Sequence, residues 1–257
     1  MTRTILITGA TSGFGKAIAT LFAQNGYHVI ITGRREDRLN ALKSELEKQH
    51  ACQVTISKFD IRNKDEVKQA IDNLKEKVQQ IDILVNNAGL ASGLSSIDEG
   101  DTDDWDLMID TNVKGLLYVT RQVLPLMKQQ LSGHIFNIGS TAGKMAYKNG
   151  NVYCATKFAV DALNQSMRID LLPYGIKVTG VNPGMAETEF SLVRFKGDAD
   201  RAKKVYDDIH PLQPEDIANV VYYCATLPPH FCINDLTMTC TSQANSIYTI
   251  RDSEKTA

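Results

Sequence analysis

Short runs of apolar, mostly β-branched residues alternate along the chain with longer stretches whose apolar residues follow helical spacing. Uninterrupted apolar runs of this length are typical of strands that are buried on both faces of a parallel sheet. The pattern therefore predicts strands at Thr4–Thr8, Val29–Thr32, Gln53–Phe59, Ile81–Val85, His134–Ile138 and Lys177–Val181.

The longer stretches predict helices. In two of them the apolar residues share one helical face, at Leu39, Leu42 and Leu46 and at Val67, Ile71, Leu74 and Val78. Longer helices are predicted from Asp103 to Gln130, with Pro125 as a candidate kink, and from Asn151 to Leu172. Alternating strands and helices predict right-handed crossovers and a doubly wound α/β sheet, in which cofactors bind beyond the carboxyl ends of the strands.

One segment, from about residue 184 to about 214, departs from this alternation because it has few periodic apolar residues and many charges. Connections of that length are often functional, so we predict a flap over the substrate. Nothing in the composition marks a boundary elsewhere, and residues 1–257 are therefore predicted to form a single domain.

Composition narrows the functional classes. The net charge of −2 gives no overall field to attract nucleic acid or an anionic membrane surface. No apolar run approaches the ~18 residues that a membrane span needs, and the N-terminus lacks a secretory pattern. The five cysteines include no Cys-x-x-Cys pair, and the five histidines show no metal-ligand spacing. We expect a cytoplasmic protein that binds no nucleic acid, membrane or metal.

The first predicted strand leads into Thr8-Gly-Ala-Thr-Ser-Gly-Phe-Gly15, and a helical pattern follows. Glycines at such a turn allow a close approach of backbone to ligand, and the N-terminus of a helix suits a pyrophosphate. A triphosphate-binding loop is disfavoured, because Lys16 is followed by Ala17 rather than by Ser or Thr. A glycine-rich turn with no ligand is the remaining alternative.

The second predicted strand ends at Thr32-Gly33-Arg34-Arg35. An acidic residue at this position would accept the ribose 2′-hydroxyl of NAD, whereas two guanidinium groups suit the 2′-phosphate of NADP. Glu36 and Asp37 follow, but they fit the first turn of a helix, where acidic side chains are favourable. NADP is the predicted cofactor, and the alternative is that both arginines are solvated surface charges.

Tyr153 and Lys157 lie four residues apart on a predicted helix and share a face. A nearby ammonium favours phenolate and lowers the pKa of a tyrosine, so Tyr153 is a candidate acid and base for an alcohol or carbonyl. Ser140 follows the strand His134–Ile138 and could hydrogen-bond to the reacting oxygen. The alternatives are chance spacing for the pair and a helix cap for Ser140.

Further motifs occur in a fixed order along the chain: Asp60-Ile61, Asn86-Asn-Ala-Gly89, Asn112 and Pro183-Gly184. Together with the glycine turn, Ser140 and Tyr153-x-x-x-Lys157, they resemble the short-chain dehydrogenase/reductase family over nearly the whole chain. The resemblance implies a single Rossmann-type domain with a seven-stranded parallel sheet and helices on both faces.

The resemblance also implies roles for the matched residues. Tyr153 would be the general acid/base, Lys157 would lower its pKa and hold the nicotinamide ribose, and Ser140 would orient the substrate oxygen. Asn112 would support a water-linked proton relay. The implied cofactor contacts are Gly9, Thr11, Ser12, Gly13, Phe14, Arg34, Arg35, Asp60, Ile61, Asn87, Ala88, Gly89, Tyr153, Lys157, Pro183, Gly184 and Thr188.

Four segments resemble one subgroup more closely: Gly33-Arg-Arg35, Gly139-Ser-Thr-Ala-Gly143, the stretch from Thr188 to Asp198, and Leu227-Pro-Pro-His230 with Ile233-Asn234 following. This subgroup is the NADP-dependent 3-hydroxy acid dehydrogenases, which also oxidise serine and allo-threonine and are typically homotetramers. The stretch Lys144-Met-Ala-Tyr147 differs from its counterpart there, which leaves the size of the substrate open. Tyr147 either lines the substrate pocket or packs its loop.

An acidic substrate needs a cation in the pocket. Arg194, between Val193 and Phe195, could bury its stem and direct its guanidinium inward, or it could lie on a solvated helix face. The leading hypothesis is an NADP-dependent oxidoreductase for a small 3-hydroxy acid, such as serine, allo-threonine or 3-hydroxypropionate. The alternatives are an NADPH-dependent carbonyl reductase for neutral ketones or steroids and a catalytically silent NADP-sensing protein.

Overall fold

The computed structural model describes residues 2–255, which contain an all-parallel sheet of seven strands. The strands lie in the order β3-β2-β1-β4-β5-β6-β7. Their bounds are Thr4–Ile7 (β1), His28–Gly33 (β2), Val54–Lys58 (β3), Ile83–Asn86 (β4), Gly133–Ile138 (β5), Ile176–Pro183 (β6) and Asp235–Met238 (β7). The strands predicted from apolar runs are confirmed to within a few residues. These strands pack against the helix layers, which accounts for their apolar residues.

The seventh strand, β7, is implied by the family resemblance alone, and the structure confirms it. It lies at the edge of the sheet beside β6, where Leu236 pairs with Val181. Its residues alternate between exposed and half-buried positions, so it lacks the continuous apolar run that marks the other strands.

Helices cover both faces of the sheet. Their bounds are Gly13–Gln24 (α1), Glu36–Gln49 (α2), Lys64–Lys75 (α3), Thr102–Ile109 (α4), Leu116–Gln130 (α5), Asn151–Leu171 (α6), Glu189–Arg194 (α7), Ala199–Lys204 (α8) and Pro214–Thr226 (α9). One apolar layer joins the sheet to α1, α2 and α9, and the other joins it to α3, α5 and α6. Ile5 and Ile7 of β1 belong to the first layer and Leu6 to the second, so the sheet is buried on both faces.

The order of the strands reverses between β1 and β4, since β2 and β3 lie on one side of this pair and the later strands on the other. Ile7 at the end of β1 pairs with Val85 of β4. A reversal of this kind opens a crevice at the carboxyl ends of the strands, where ligands bind in doubly wound sheets. The glycine turn after β1 and the segment Asn86–Gly89 after β4 border this crevice.

The helix predicted from Asp103 to Gln130 is interrupted, which corrects the prediction of a single element. After α4 the chain forms a π-helical segment, Asp110–Gly115, before α5 begins. Pro125 lies inside α5 without ending it. The π-helical segment carries Asn112, whose side chain is buried. The buried residues of this segment, Thr111, Asn112 and Gly115, are polar or small, so the spacing of apolar residues does not report on its backbone.

The predicted flap contains two short helices, α7 and α8, joined by a reversal of the chain at Lys196 and Gly197. The Oγ1 atom of Thr188 caps α7 by accepting a hydrogen bond from the Phe190 N–H at 3.1 Å. Asp198 caps α8 in the same way through the Arg201 N–H at 3.0 Å. Each helix has only six residues, which is too short for a periodic apolar face to appear in the sequence.

Three further features bear on the kinds of site present. All five cysteines are free thiols. Within residues 2–255, no group of three or more His, Cys, Asp or Glu side chains is arranged to hold a metal ion. Over the same range, no helix combines the length and the apolar character that crossing a membrane requires.

Candidate functional site

A cavity of about 520 Å³ lies along the crevice at the carboxyl ends of the strands. Its walls include every residue that the sequence analysis assigned to cofactor or substrate, from Gly9 in the glycine turn to Arg194 at the end of α7. Asn112, which is predicted to support the proton relay, does not reach the cavity, and its neighbour Thr111 lines the wall instead. One cavity therefore joins the predicted phosphate site to the predicted catalytic residues.

The glycine turn has the backbone that its composition predicts. Gly9 and Gly13 have φ values of 65° and 50°, in the left-handed region that favours glycine. A Cβ atom on Gly15 would lie 2.3 Å from the carbonyl oxygen of Gly9, so only glycine fits there. Helix α1 begins at Gly13, and the side chain of Ser12 does not cap it, which leaves N–H groups at the end of a helix dipole for a phosphate.

The loop after β4 is fastened to this turn by Thr8 and Asn87. The Oγ1 atom of Thr8 accepts hydrogen bonds from the N–H groups of Asn87 and Ala88, at 3.0 and 2.9 Å. In return, the Asn87 side-chain amide donates to the carbonyl oxygens of Thr8 and Gly9, at 2.8 and 3.1 Å. The Asn87 side chain thus fixes the shape of the glycine turn.

The two arginines after β2 lie at one end of the cavity, and both are paired with acidic groups. Arg35 donates to Thr11 Oγ1 at 2.8 Å and lies 3.3 Å from a carboxylate oxygen of Glu189, the first residue of α7. Arg34 lies 3.9 Å from a carboxylate oxygen of Asp60. Both side chains are substantially exposed, so these ion pairs are weak and a phosphate could replace the acidic partners.

Two further arginines at this end were not identified in the sequence. Arg38 lies 2.8 Å from the second carboxylate oxygen of Glu189, so that Glu189 bridges two cations. Arg62 donates hydrogen bonds to both oxygens of the Asp60 carboxylate. Burial raises the pKa of Asp60, but the hydrogen bonds from Arg62 outweigh it and leave the pKa below its ordinary value.

Tyr153 and Lys157 share one face of α6, as predicted, and both are more than nine-tenths buried. The Nζ atom of Lys157 donates a hydrogen bond to the carbonyl oxygen of Ile138, at the end of β5, at 2.8 Å. The same atom lies 6.0 Å from the centre of the Tyr153 ring. Burial lowers the pKa of Lys157 to about 8, because the charged ammonium is poorly solvated there.

The expected effect of Lys157 on Tyr153 is not what the structure shows. Burial raises the pKa of Tyr153 to about 12, and the strongest opposing influence is the charge of Arg194, with a smaller one from the Ser140 hydroxyl. The guanidinium carbon of Arg194 lies 4.9 Å from the centre of the Tyr153 ring, closer than the ammonium of Lys157. Among the described residues, Arg194 is thus the one that lowers the pKa of Tyr153 most, and the lowering by Lys157 together with oxidised nicotinamide stays a prediction.

Ser140 combines the two roles that the sequence left open. Its Oγ atom accepts a hydrogen bond from the Ala142 N–H at 3.1 Å and so caps the short 3₁₀ helix Thr141–Gly143. Ser140 also lines the cavity beside Tyr153. Because the backbone contact uses the hydroxyl as an acceptor, its hydrogen remains available for an oxygen in the cavity.

Asn112 lies behind the cavity wall and connects two of its parts. Its amide exchanges two hydrogen bonds with the backbone of Leu90, both at 2.8 Å, and donates a third to Thr156 Oγ1 at 3.1 Å. These contacts tie the loop after β4 to the helix that carries Tyr153. In the structure the Asn112 side chain thus acts as a brace between the loop and α6.

Arg194 points inward, as one of the two alternatives predicted. Its Nη2 atom donates a hydrogen bond to the Tyr147 phenol at 2.7 Å. Its guanidinium also lies 5.0 Å from the centre of the Phe190 ring, within cation–π distance. The Nε–H group is buried, and no atom of residues 2–255 accepts a hydrogen bond from it. A buried donor of this kind is costly unless a ligand pairs with it.

The family model described as short chain dehydrogenase matches residues 3–198. The chain belongs to the short-chain dehydrogenase family.

Two curated relatives of this short-chain dehydrogenase cover most of its length. The NADP-dependent 3-hydroxy acid dehydrogenase YdfG of Salmonella typhi is 48% identical over 235 residues, covering 91% of this chain and 93% of the relative. Sulfoacetaldehyde reductase 2 of Chromohalobacter salexigens is 45% identical over 251 residues, covering 97% and 99%. Among solved structures, the closed form of a serine dehydrogenase complexed with NADP+ has a TM-score of 0.90 at 45% identity, covering 95% of this chain and 97% of the other.

The sequence of this short-chain dehydrogenase gave no signal for several residues that line its cavity. They come from the flap and from the segment after β7: Phe190, Tyr206, Gln243, Ser246 and Thr249. Gln243 Oε1 accepts a hydrogen bond from the Met185 N–H at 2.7 Å, across 58 residues of sequence. Contacts over such separations depend on the fold, so no local motif could reveal them.

Proposed function

We propose that this chain is an NADP-dependent oxidoreductase that transfers a hydride between nicotinamide and a small 3-hydroxy acid. One observation carries the proposal. The guanidinium of Arg194, with its buried Nε–H, lies beside Tyr153 in the same cavity as the glycine turn and the arginines after β2. We call the part of the cavity beside Arg34 and Arg35 its outer end and the part beside Lys157 and Arg194 its inner end. The cavity thus offers cationic groups at both ends, with the Tyr153 phenol near those of the inner end.

The residues at the outer end fit NADP. A Cβ atom on Gly9 would lie 3.0 Å from the Cα atom of Ala88, so a larger residue at this position would disturb the turn that faces the ligand. The N-terminus of α1 suits the pyrophosphate, and Arg34 and Arg35 suit the 2′-phosphate. When bound, the nicotinamide supplies or accepts the hydride and, in its oxidised form, adds positive charge beside the phenol.

Within the chain, Tyr153 is proposed to exchange the proton of the reacting oxygen. Its raised pKa keeps the phenol protonated at neutral pH, which suits donation to a carbonyl. Oxidation of an alcohol needs the phenolate, and the positive charge of Arg194 favours that form. Ser140 would donate its free hydroxyl hydrogen to the reacting oxygen and so orient it.

Lys157 and Asn112 would support this chemistry from behind. Lys157 Nζ is fixed on Ile138, and its remaining hydrogens can reach a ribose hydroxyl or a water molecule. Asn112 holds α6 against the loop after β4 through Thr156 and Leu90. The contacts of Asn112 support its role in holding α6 against the loop after β4. The water-linked proton relay stays a prediction for this residue.

An acid accounts for Arg194 better than a neutral ketone or steroid does. The relatives are named for a 3-hydroxy acid, for serine and for sulfoacetaldehyde, all of which are short molecules with an anionic group. A neutral substrate would leave the buried Nε–H group of Arg194 without a partner, at a cost in binding. An acid would supply an oxygen to that group and a compensating charge.

The test is a substrate screen that follows the absorbance of reduced nicotinamide. Serine, allo-threonine and 3-hydroxypropionate are each compared with the matching neutral amide, with NADP+ and NAD+ in parallel. We expect turnover with the acids and NADP+, and at least about tenfold lower kcat/KM for the amides. Equal rates for acids and amides would reject the acid specificity, and no turnover with any substrate would favour the sensing protein.

The proposal also includes the oligomeric state of the protein and its location in the cell. Several large apolar side chains are exposed on the described surface, among them Ile169, Leu172 and Phe231. Exposed apolar groups of this size are consistent with a homotetramer, the assembly predicted from the sequence. Sedimentation of the purified protein tests the tetramer, and fractionation of cells that express it tests the cytoplasmic location.

A further inference from the structure

The contact between Arg194 and Tyr147 carries an inference beyond the hydride chemistry. Both side chains line the catalytic cavity, and the Tyr147 phenol accepts a hydrogen bond from Arg194 Nη2 at 2.7 Å. The guanidinium carbon also lies 5.8 Å from the centre of the Tyr147 ring. Tyr147 therefore touches the cation that the proposed function assigns to the acid group of the substrate.

Tyr147 is held in a fixed position relative to Tyr153. The Gly150 N–H donates to the Tyr147 carbonyl oxygen at 3.1 Å, and α6, which carries Tyr153, begins at the next residue. A Cβ atom on Gly150 would lie 2.4 Å from the Tyr147 ring, so glycine is what allows the ring to lie against this turn. The short connection from Tyr147 to α6 fixes the phenol on the rigid element that carries the proposed acid/base.

The hydrogen bonding leaves this phenol as a donor. Its oxygen accepts from Arg194, and burial raises the pKa of Tyr147, an effect that the charge of Arg194 only partly opposes. The hydroxyl therefore keeps its hydrogen at neutral pH. Arg194 in turn has a buried Nε–H that no atom of residues 2–255 accepts. Two donors thus lie side by side in the wall of the cavity.

We propose that Tyr147 is a specificity-determining residue that, together with Arg194, binds the acid group of the substrate through one hydroxyl and one guanidinium donor. Tyr147 also positions the guanidinium through their shared hydrogen bond. The inference rests on the proposed acid specificity and names the second half of its binding site. A carboxylate or a sulfonate would satisfy the pair, because each presents at least two oxygens on one central atom.

Tyr147→Phe removes the hydroxyl and keeps the ring. We expect KM for 3-hydroxypropionate to rise about tenfold, with little change in kcat and no change in kcat/KM for 3-hydroxypropionamide. By calorimetry, the affinity for the unreactive acid propionate should fall by the same factor, while the weak binding of propionamide stays constant. Tyr223→Phe, at an exposed tyrosine of α9, is the matched control and should behave as wild type.

The double variant with Arg194→Gln tests the shared role. If the two residues form one site, their effects on acid binding will be less than additive. The inference is overturned if Tyr147→Phe weakens acid and amide equally, leaves propionate affinity unchanged, or adds fully to Arg194→Gln. A wild-type enzyme that does not distinguish acid from amide would instead overturn the proposed function. Matching unfolding temperatures for the variants would exclude a loss of folding as the cause.

Discussion

The cationic side chains at the two ends of the cavity differ in exposure and in their partners. At the outer end, Arg34 and Arg35 are substantially exposed and pair with the carboxylates of Asp60 and Glu189. At the inner end, Lys157 and Arg194 hydrogen-bond to uncharged oxygens, a carbonyl and a phenol. The outer charges are screened and already compensated, whereas the inner ones act through a poorly solvated environment.

This difference indicates that the outer end contributes to the choice of cofactor and the inner end to the chemistry at Tyr153. Exchange of a carboxylate for a phosphate at an exposed arginine changes the free energy of binding by a modest amount, which suits a choice between two cofactors. A cation that lacks an acidic partner in a poorly solvated site acts more strongly on its neighbours, and Arg194 is the main influence that lowers the pKa of Tyr153. Substitutions at the inner end should therefore have larger effects than substitutions at the outer end.

The largest effect is expected for Tyr153→Phe. The variant keeps the buried ring and removes the hydroxyl that would exchange the proton, so kcat should fall by about a thousandfold or more. Cofactor affinity, measured by the fluorescence of reduced nicotinamide, should change by less than about twofold, since the ring and its packing remain. Retention of turnover in this variant would contradict the proposed role of Tyr153.

Arg194→Gln should reduce kcat/KM for acids by about a hundredfold, because it removes a charge-assisted contact in a buried site. It also removes the strongest influence that lowers the pKa of Tyr153, so that pKa should rise further. Oxidation needs the phenolate, and the rising limb of its pH–rate profile for a neutral alcohol should therefore move to higher pH. A limb that stays in place or moves to lower pH would show that Arg194 does not act on Tyr153.

The sequence predicted the two ends of the cavity unequally. The glycine turn, the arginines after β2 and the pair Tyr153 and Lys157 are local patterns, and local geometry carries them into the cavity. The contact between Tyr147 and Arg194 joins residues 47 positions apart, and that between Arg35 and Glu189 joins residues 154 positions apart. Such contacts depend on how the flap packs over the sheet, which no periodicity encodes.

The raised pKa of Tyr153 likewise depends on packing that the sequence pattern does not show. Spacing on α6 predicts that Lys157 lies on the same face, but the outcome depends on burial and on which cation lies nearer to the ring. The π-helical segment around Asn112 was likewise hidden, because its buried residues are polar or small and carry no apolar periodicity. Sequence reasoning thus recovers which residues meet more readily than it recovers the charge state they adopt.

At the outer end, Arg34→Ala with Arg35→Ala should weaken NADPH binding by about thirtyfold and leave NADH binding nearly unchanged. The reason is that these exposed arginines would contact the 2′-phosphate, which NADH lacks, and each such contact contributes modestly. Titration of both cofactors by fluorescence measures the ratio, and Arg121→Ala on the exposed surface of α5 is the control. Equal losses for the two cofactors would mean that these arginines support the fold of the turn instead.

Glu189→Gln should produce the smallest effect, and its sign decides how the outer end works. If Glu189 competes with the 2′-phosphate for Arg35, removal of its charge should strengthen NADPH binding by about threefold and leave NADH binding unchanged. The gain should shrink at high ionic strength, because both partners are about two-fifths exposed. Glu45→Gln, which breaks an exposed ion pair with Lys16, is the matched control. Weaker NADPH binding would show instead that Glu189 holds Arg35 and Arg38 in place for the phosphate, and that the start of α7 belongs to the cofactor site.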